Sequence, residues 1–159
     1  MGVEWLRVGR SGRPRDTYMF FGEFEYRVDE KGRLPFPPRY LAFFRDGLVL
    51  AHGLEKCLTI YTMAEWKKQA DGIAAGHLPP SKLRTLNRTL FAGASQESLD
   101  GQGRISIPAN LRAYAGLNED VVIAGTNTCL EIWDRQQWEA VKQAGQEQAW
   151  QIIESLEKH

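Results

Sequence analysis

Asp29-Glu-Lys-Gly-Arg33-Leu-Pro-Phe-Pro37 and Asp100-Gly-Gln-Gly-Arg104-Ile-Ser-Ile-Pro108 are two copies of one pattern, 71 positions apart. Further along, Gly53, Cys57, Leu58, Ile60 and Trp66 align with Gly125, Cys129, Leu130, Ile132 and Trp138 at a spacing of 72, one inserted residue accounting for the slip. Internal repetition constrains architecture before any local signal does. Two units are too few to stack as a solenoid, so the chain reads as a pseudo-symmetric pair of modules.

Working outward from each copy, the same elements are predicted twice. A strand precedes the motif, over 23–28 and 94–99. Gly32 and Gly103 sit in the turn, where positive φ is free of steric cost. A short alternating strand follows, over 33–36 and 104–107. Pro37 and Pro108 stand where a helix begins and a missing N–H costs nothing. Short helices are predicted over 38–44 and 109–115, with Gly47 and Gly116 suited to their ends. Two more strands complete each unit, over 48–52 with 57–61 and over 121–124 with 129–133. A second helix starts near Ala64 in one unit and Arg135 in the other. The expected division is an extension over 1–18, modules over 23–65 and 94–137, a helical connector over 66–93 with Ser81 as N-cap, and a C-terminal helix over 138–159. The fold class is α+β and β-rich.

Composition excludes several classes. Of 159 residues, 43% are apolar and 25% charged, which is ordinary for a soluble globular chain. No apolar run reaches the roughly 18 residues of a membrane span, and the first residues lack the apolar core of a signal peptide. A cytoplasmic protein is expected. Formal net charge is zero, whereas a nucleic-acid binder usually carries a basic excess. The charge is uneven, however: nine Arg/Lys stand against six Asp/Glu over 1–45, and three against six over 131–159. Such a distribution can present a basic face on a neutral chain.

The Asp-x-x-Gly-Arg pentad has chemistry of its own. The carboxylate can accept turn N–H groups or pair with the arginine four positions on. The arginine can project from the rim of a sheet, its planar fork suited to phosphates or guanine edges. Lys31 adds a cation to the first turn. Gln102 replaces it in the second and can still hydrogen-bond a base edge or phosphate. Asp29, Gly32, Asp100 and Gly103 are read as bracing the turns, and Lys31, Arg33, Gln102 and Arg104 as the candidate contacts.

Other candidates are weaker. Cys57 and Cys129 have apolar neighbours and read as core thiols. His52, His77 and His159 show no ligand spacing, so neither metal nor cofactor is expected. Asp29 and Asp100, each beside an arginine, would stay ionised, which suits structure better than acid–base chemistry. Trp66 and Trp138 read as core anchors. Lys82, Arg84 and Arg88 form either a solvated helix face or a phosphate-positioning one. The C-terminal helix reads as a surface or subunit-contact element. No nucleophile–base pair points to an enzyme.

The residues also carry a resemblance. Met19-Phe-Phe-Gly-Glu-Phe, the two Asp-x-x-Gly-Arg motifs with their prolines, Phe91-Ala-Gly-Ala, Leu111-Arg-x-Tyr-Ala-Gly-Leu and Glu131-Ile-Trp-Asp134 together resemble the MraZ family. Each half is similar to a SpoVT/AbrB-type module. The resemblance spans residues 19–142. It implies modules of swapped-hairpin type forming a small β-barrel, flanking helices and a ring-shaped homo-oligomer. It also implies binding to repeated G-rich double-stranded DNA elements upstream of the division and cell-wall gene cluster, usually with repression. Lys31 and Arg33 then fall on the basic DNA-contacting positions of the first copy. Residues 1–18 have no counterpart in the repeat, and Met19 is expected to be the natural start, a basic arm being the alternative. The rival reading is an antitoxin-like module that binds a protein.

Overall fold

The computed structural model describes residues 19–158; the expectations for 1–18 lie outside them. The elements are β1 (Glu23–Arg27), β2 (Arg33–Pro35), a 3-10 helix (Pro38–Phe44), β3 (Leu48–His52), β4 (Leu58–Thr62), α1 (Met63–Ala75), α2 (Pro80–Leu86), a π-helical turn (Asn87–Phe91), β5 (Ser95–Glu97), β6 (Arg104–Ser106), α3 (Ala109–Ala115), β7 (Asp120–Gly125), β8 (Leu130–Asp134) and α4 (Arg135–Glu157).

Local chemistry accounts for most boundaries. Thr62 accepts the N–H of Glu65 at 3.1 Å and so starts α1, half of a capping box. Gly116 adopts φ 61° and ends α3, the left-handed cap that glycine allows. The start of α2 differs from expectation. Pro79 is the cap and Pro80 the first helical residue, which its fixed φ favours, and Ser81 falls inside the first turn.

Six strands form one antiparallel sheet in the order β1-β7-β8-β4-β3-β5, while β2 and β6 pair separately as a two-stranded ribbon. The order reads the same from either end once the modules are exchanged. The opening strand of each module therefore pairs with the other: β1 lies on β7, and β5 on β3. The local two-fold axis passes through the pairs Leu34–Ile105 in the ribbon and Thr59–Glu131 between β4 and β8.

The expectations of a barrel and of a paired Gly53 and Gly125 are corrected. No closed barrel forms among the described residues: β1 and β5 end the sheet on opposite sides, and the ribbon keeps its own ladder. The ribbon is stitched at its turns instead, where Phe36 N–H donates to the Gly103 carbonyl at 3.2 Å and Ile107 N–H to that of Gly32 at 2.9 Å. The pairing of Gly53 with Gly125 also fails. Gly125 lies opposite Leu130 within the ladder, the place His52 holds opposite Leu58. The counterpart of Gly53 is Thr126, since each sends its N–H across the loop, to Cys57 at 2.9 Å and Cys129 at 3.0 Å respectively. The first hairpin loop is thus one residue longer, and the shared glycine is a coincidence of sequence.

The core fills the space between one face of the sheet and the ribbon with its two short helices. Leu34, Leu48, Leu50, Leu58, Ile60 and Ile105 are wholly buried there with Phe44 and Leu111. Each such aliphatic side chain contributes about 1.5–3 kcal/mol through burial. Phe20 joins them, edge-on to Tyr40 at 4.9 Å and stacked on Phe44 at 5.6 Å. Trp66 and Trp138, expected as core anchors, lie outside this cluster. Trp66 is half-buried between Tyr61 and Phe91. Trp138 packs 6.1 Å from Trp133 and donates Nε1–H to Glu23 at 2.8 Å. Both hold helices onto the outer face of the sheet.

Candidate nucleic-acid interface

The ribbon is where the two pentads meet. In each turn one carboxylate organises the loop. Asp29 Oδ1 accepts the N–H groups of Lys31 and Arg33, both at 2.9 Å, and its Oδ2 accepts Arg33 Nε–H at 2.7 Å. Asp100 repeats this with Gln102 at 2.8 Å and with Arg104 N and Nε at 2.9 Å each. Behind each Asx turn the backbone closes as well, with Gly32 N–H on Asp29 and Gly103 N–H on Asp100, both at 3.0 Å. Gly32 and Gly103 take φ 78° and 73°, a region costly to other L residues.

These bonds hold both carboxyls below the ordinary aspartate value. For Asp29 the main cause is the backbone N–H of Arg33, opposed by partial desolvation and helped by the Arg33 guanidinium. For Asp100 it is the backbone N–H of Arg104, with Gln102 N–H and the Arg104 guanidinium adding to it. Both turns therefore keep a charge-assisted Asp–Arg pair at neutral pH.

Strand alternation then sets direction. Leu34 and Ile105 face each other with no exposed surface, so Arg33, Pro35, Arg104 and Ser106 share the opposite, outer face. Arg33 stands opposite Ser106 and Arg104 opposite Pro35, which makes the two arginines diagonal neighbours, about 7–8 Å apart at their backbones. Their side chains are 33% and 25% exposed: braced at Nε, yet open to solvent. The Nε bond leaves the four donors of the terminal nitrogens outside it. Lys31 and Gln102 are exposed on the turns beside them. The structure thus gathers all eight residues singled out in the sequence onto one ribbon.

One neighbour was not singled out. Arg112, on α3 of the second module, lies over the first turn. A methyl group built on Gly32 would come within 2.9 Å of its Cζ, and its Nε–H donates to the Ile107 carbonyl at 3.1 Å. At the second turn the same place, against Gly103, is held by Leu41. The signal was in the alignment: Leu41 and Arg112 are equivalent positions where the copies differ in chemical kind.

Elsewhere the side chains give little reactive chemistry. Cys57 and Cys129 are buried, and burial pushes the Cys57 thiol up to about 12 and raises Cys129 as well. Neither supplies a thiolate nucleophile at neutral pH. Among the described residues no group of His, Cys, Asp and Glu could hold a metal ion, and no helix is long and apolar enough to cross a membrane. Lys82, Arg84 and Arg88 are exposed on α2 and the turn after it.

The comparisons agree with the repeat. A family described as "MraZ protein, putative antitoxin-like" matches twice, over residues 19–87 and 90–154. Among curated relatives, the Transcriptional regulator MraZ of Dehalococcoides mccartyi is 56% identical over 142 residues, which are 89% of this chain and 100% of that protein. Its namesake in Thermobifida fusca is 46% identical over 82% of this chain and 90% of its own length. That of Deinococcus radiodurans is 43% identical over 77% and 86%. With both repeats matched and its length shared with these relatives, the chain belongs to the MraZ family, whose members are transcriptional regulators and not enzymes.

Proposed function

We propose that this chain is a sequence-specific DNA-binding regulator that represses transcription by gripping repeated promoter elements with the outer face of the β2–β6 ribbon. One observation carries the reading: two arginines on adjacent antiparallel strands, each braced by its own aspartate and facing the same way. A two-stranded ribbon fits the major groove of B-DNA, about 12 Å wide, and bidentate Arg to O6 and N7 of guanine is the commonest specific contact. Arg33 and Arg104 read guanine edges, while Lys31 and Gln102 reach phosphates or neighbouring edges. Prior bracing matters, because a guanidinium already held at Nε loses less freedom on binding.

One ribbon engages few phosphates, and affinity grows with the number neutralised. A homo-oligomeric ring repeats the ribbon at fixed spacing, so that repeated DNA elements are bound together and effective concentration multiplies affinity. That reconciles a neutral chain with DNA binding. The target, the division and cell-wall gene cluster, follows from resemblance to the MraZ family, and the place of action would be the cytoplasm, at the nucleoid. Footprinting upstream of the protein's own gene tests the reading. Protected, regularly spaced repeats support it; an unprotected region with intact, oligomeric protein overturns it.

A second reading has its own support. The matched family carries the words "antitoxin-like", and the outer half of α4 exposes Trp150, Ile152, Ile153 and Leu156. A protein-binding module would use that helix and leave the ribbon idle. Capture of a protein partner that persists after Arg33 and Arg104 are replaced, and is lost when Trp150 and Ile153 are replaced, would favour it.

A further inference from the structure

The two tips of the ribbon are alike in backbone and unlike in charge. At the first tip, exposed Glu30 and the braced Asp29 offset Lys31 and Arg33 one for one. At the second, Asp100 offsets Arg104, and Gly101 and Gln102 add no charge. Taken as turns alone, both tips are electrically neutral and offer a polyanion no net attraction. Arg112 changes this at one tip only. Its guanidinium rests against Gly32, anchored through Nε to Ile107; it is half-buried, and no ion pair among the described residues includes it. The equivalent Leu41 against Gly103 is apolar.

We propose that Arg112 is a further DNA-contacting residue: it makes the first tip net positive and, with Lys31, grips nucleic-acid phosphates beside the base edge that Arg33 reads, leaving the second tip to contribute by hydrogen bonding without net charge. The proposal rests on the DNA-binding reading above and adds an asymmetry that the repeat conceals. Arg112 packs against the glycine of the same turn that carries Lys31 and Arg33, so its charge adds to that tip. An orientation follows: the first tip is the ionic anchor, and each subunit sits on its DNA element in one direction although its backbone is nearly two-fold symmetric.

The test uses the full chain and duplex DNA from the footprinted region, titrated by fluorescence anisotropy across a series of KCl concentrations. Arg112→Leu copies the residue already tolerated at the other tip. Arg112→Gln keeps a donor for Ile107 without the charge, and serves if the leucine variant fails to fold. Arg112→Lys keeps the charge. The expected result is that either neutral variant lowers the slope of log affinity against log salt by about 0.9 for each subunit engaged, while the lysine variant keeps the wild-type slope. A folded neutral variant with an unchanged slope overturns the proposal, even if its affinity falls uniformly, for Arg112 would then only brace the turn. The DNA-binding reading is judged separately in the same titration, by whether Arg33→Ala loses the affinity that the wild type shows. A wild type whose affinity ignores salt overturns both.

Discussion

Leu34 and Ile105 face each other across the ribbon on the local two-fold axis, one from each module, and neither has exposed surface. The pair is the inner side of the surface whose outer side carries Arg33 and Arg104. Its packing therefore sets how the guanidiniums are presented. Truncating either to alanine removes aliphatic volume from a closed core and should cost about 2–5 kcal/mol. Because they touch, the double variant should cost less or more than the two singles together, by about 0.5–3 kcal/mol. Urea denaturation of the four proteins measures this coupling, and simple additivity would show that the modules are not packed through this pair.

The turn glycines should rank by what surrounds them. Gly32→Ala meets both a positive φ and the Arg112 guanidinium, Gly103→Ala a positive φ and the flexible end of Leu41, and Gly101→Ala open space. Placing a non-glycine residue in the left-handed region costs about 1–2 kcal/mol, so both former changes should destabilise by at least that, Gly32→Ala more. Gly101→Ala should stay within about 0.5 kcal/mol of wild type. Thermal melts by circular dichroism give the order directly.

The Asp–Arg turns make a definite prediction for acid. Both carboxyls titrate below their ordinary value of 3.8 in the folded state. A carboxyl depressed by folding stabilises the native state fully above its unfolded pKa, and that stabilisation is lost as pH falls through the folded pKa. The turns should thus be insensitive between pH 8 and 5 and weaken only below about 3.8. Asn at positions 29 and 100 can accept the same N–H groups but cannot ionise. The double variant Asp29→Asn/Asp100→Asn should therefore be less stable than wild type at pH 7, and the gap should narrow below the ordinary aspartate range. Denaturation curves at pH 7, 5 and 3 test the sign.

The outer lock of α4 is a separate device. Trp138 Nε1–H and Lys142 both bind Glu23 on β1, at 2.8 and 2.9 Å, so that the C-terminal helix holds the opening strand of the first module. Trp138→Phe keeps the ring contact with Trp133 and removes the donor. It should cost about 0.5–1.5 kcal/mol and speed amide exchange along β1, the sheet edge, without touching DNA affinity. A drop in DNA affinity with the fold intact would contradict the separation of these two regions.

The paired pentads made much of this legible. An Asx turn, a positive-φ glycine and a four-residue Asp–Arg spacing are local chemistry, and local chemistry survives in sequence. The alternation of Arg33, Leu34 and Pro35 likewise told which side of a strand faces inward. Two things were not legible. Which module lends β1 to which sheet is a long-range pairing, and no residue near Glu23 records that Ala124 lies opposite. The approach of Arg112 to Gly32 joins residues of different modules, so only a comparison of the copies position by position hinted at it. Gly53 and Gly125 show the opposite failure. Identity in sequence suggested equivalence, but loop length decided otherwise.

Whether Arg33 reads DNA is decided by the affinity of Arg33→Ala for footprinted promoter DNA, measured by anisotropy at one salt concentration beside wild type, with a thermal melt and the oligomer size as controls. A bidentate arginine–guanine contact is worth about 1–3 kcal/mol of discrimination, and the loss repeats over every subunit engaged. Specific binding is expected to be abolished while fold and oligomer stay intact. Wild-type affinity in a folded Arg33→Ala protein would contradict it.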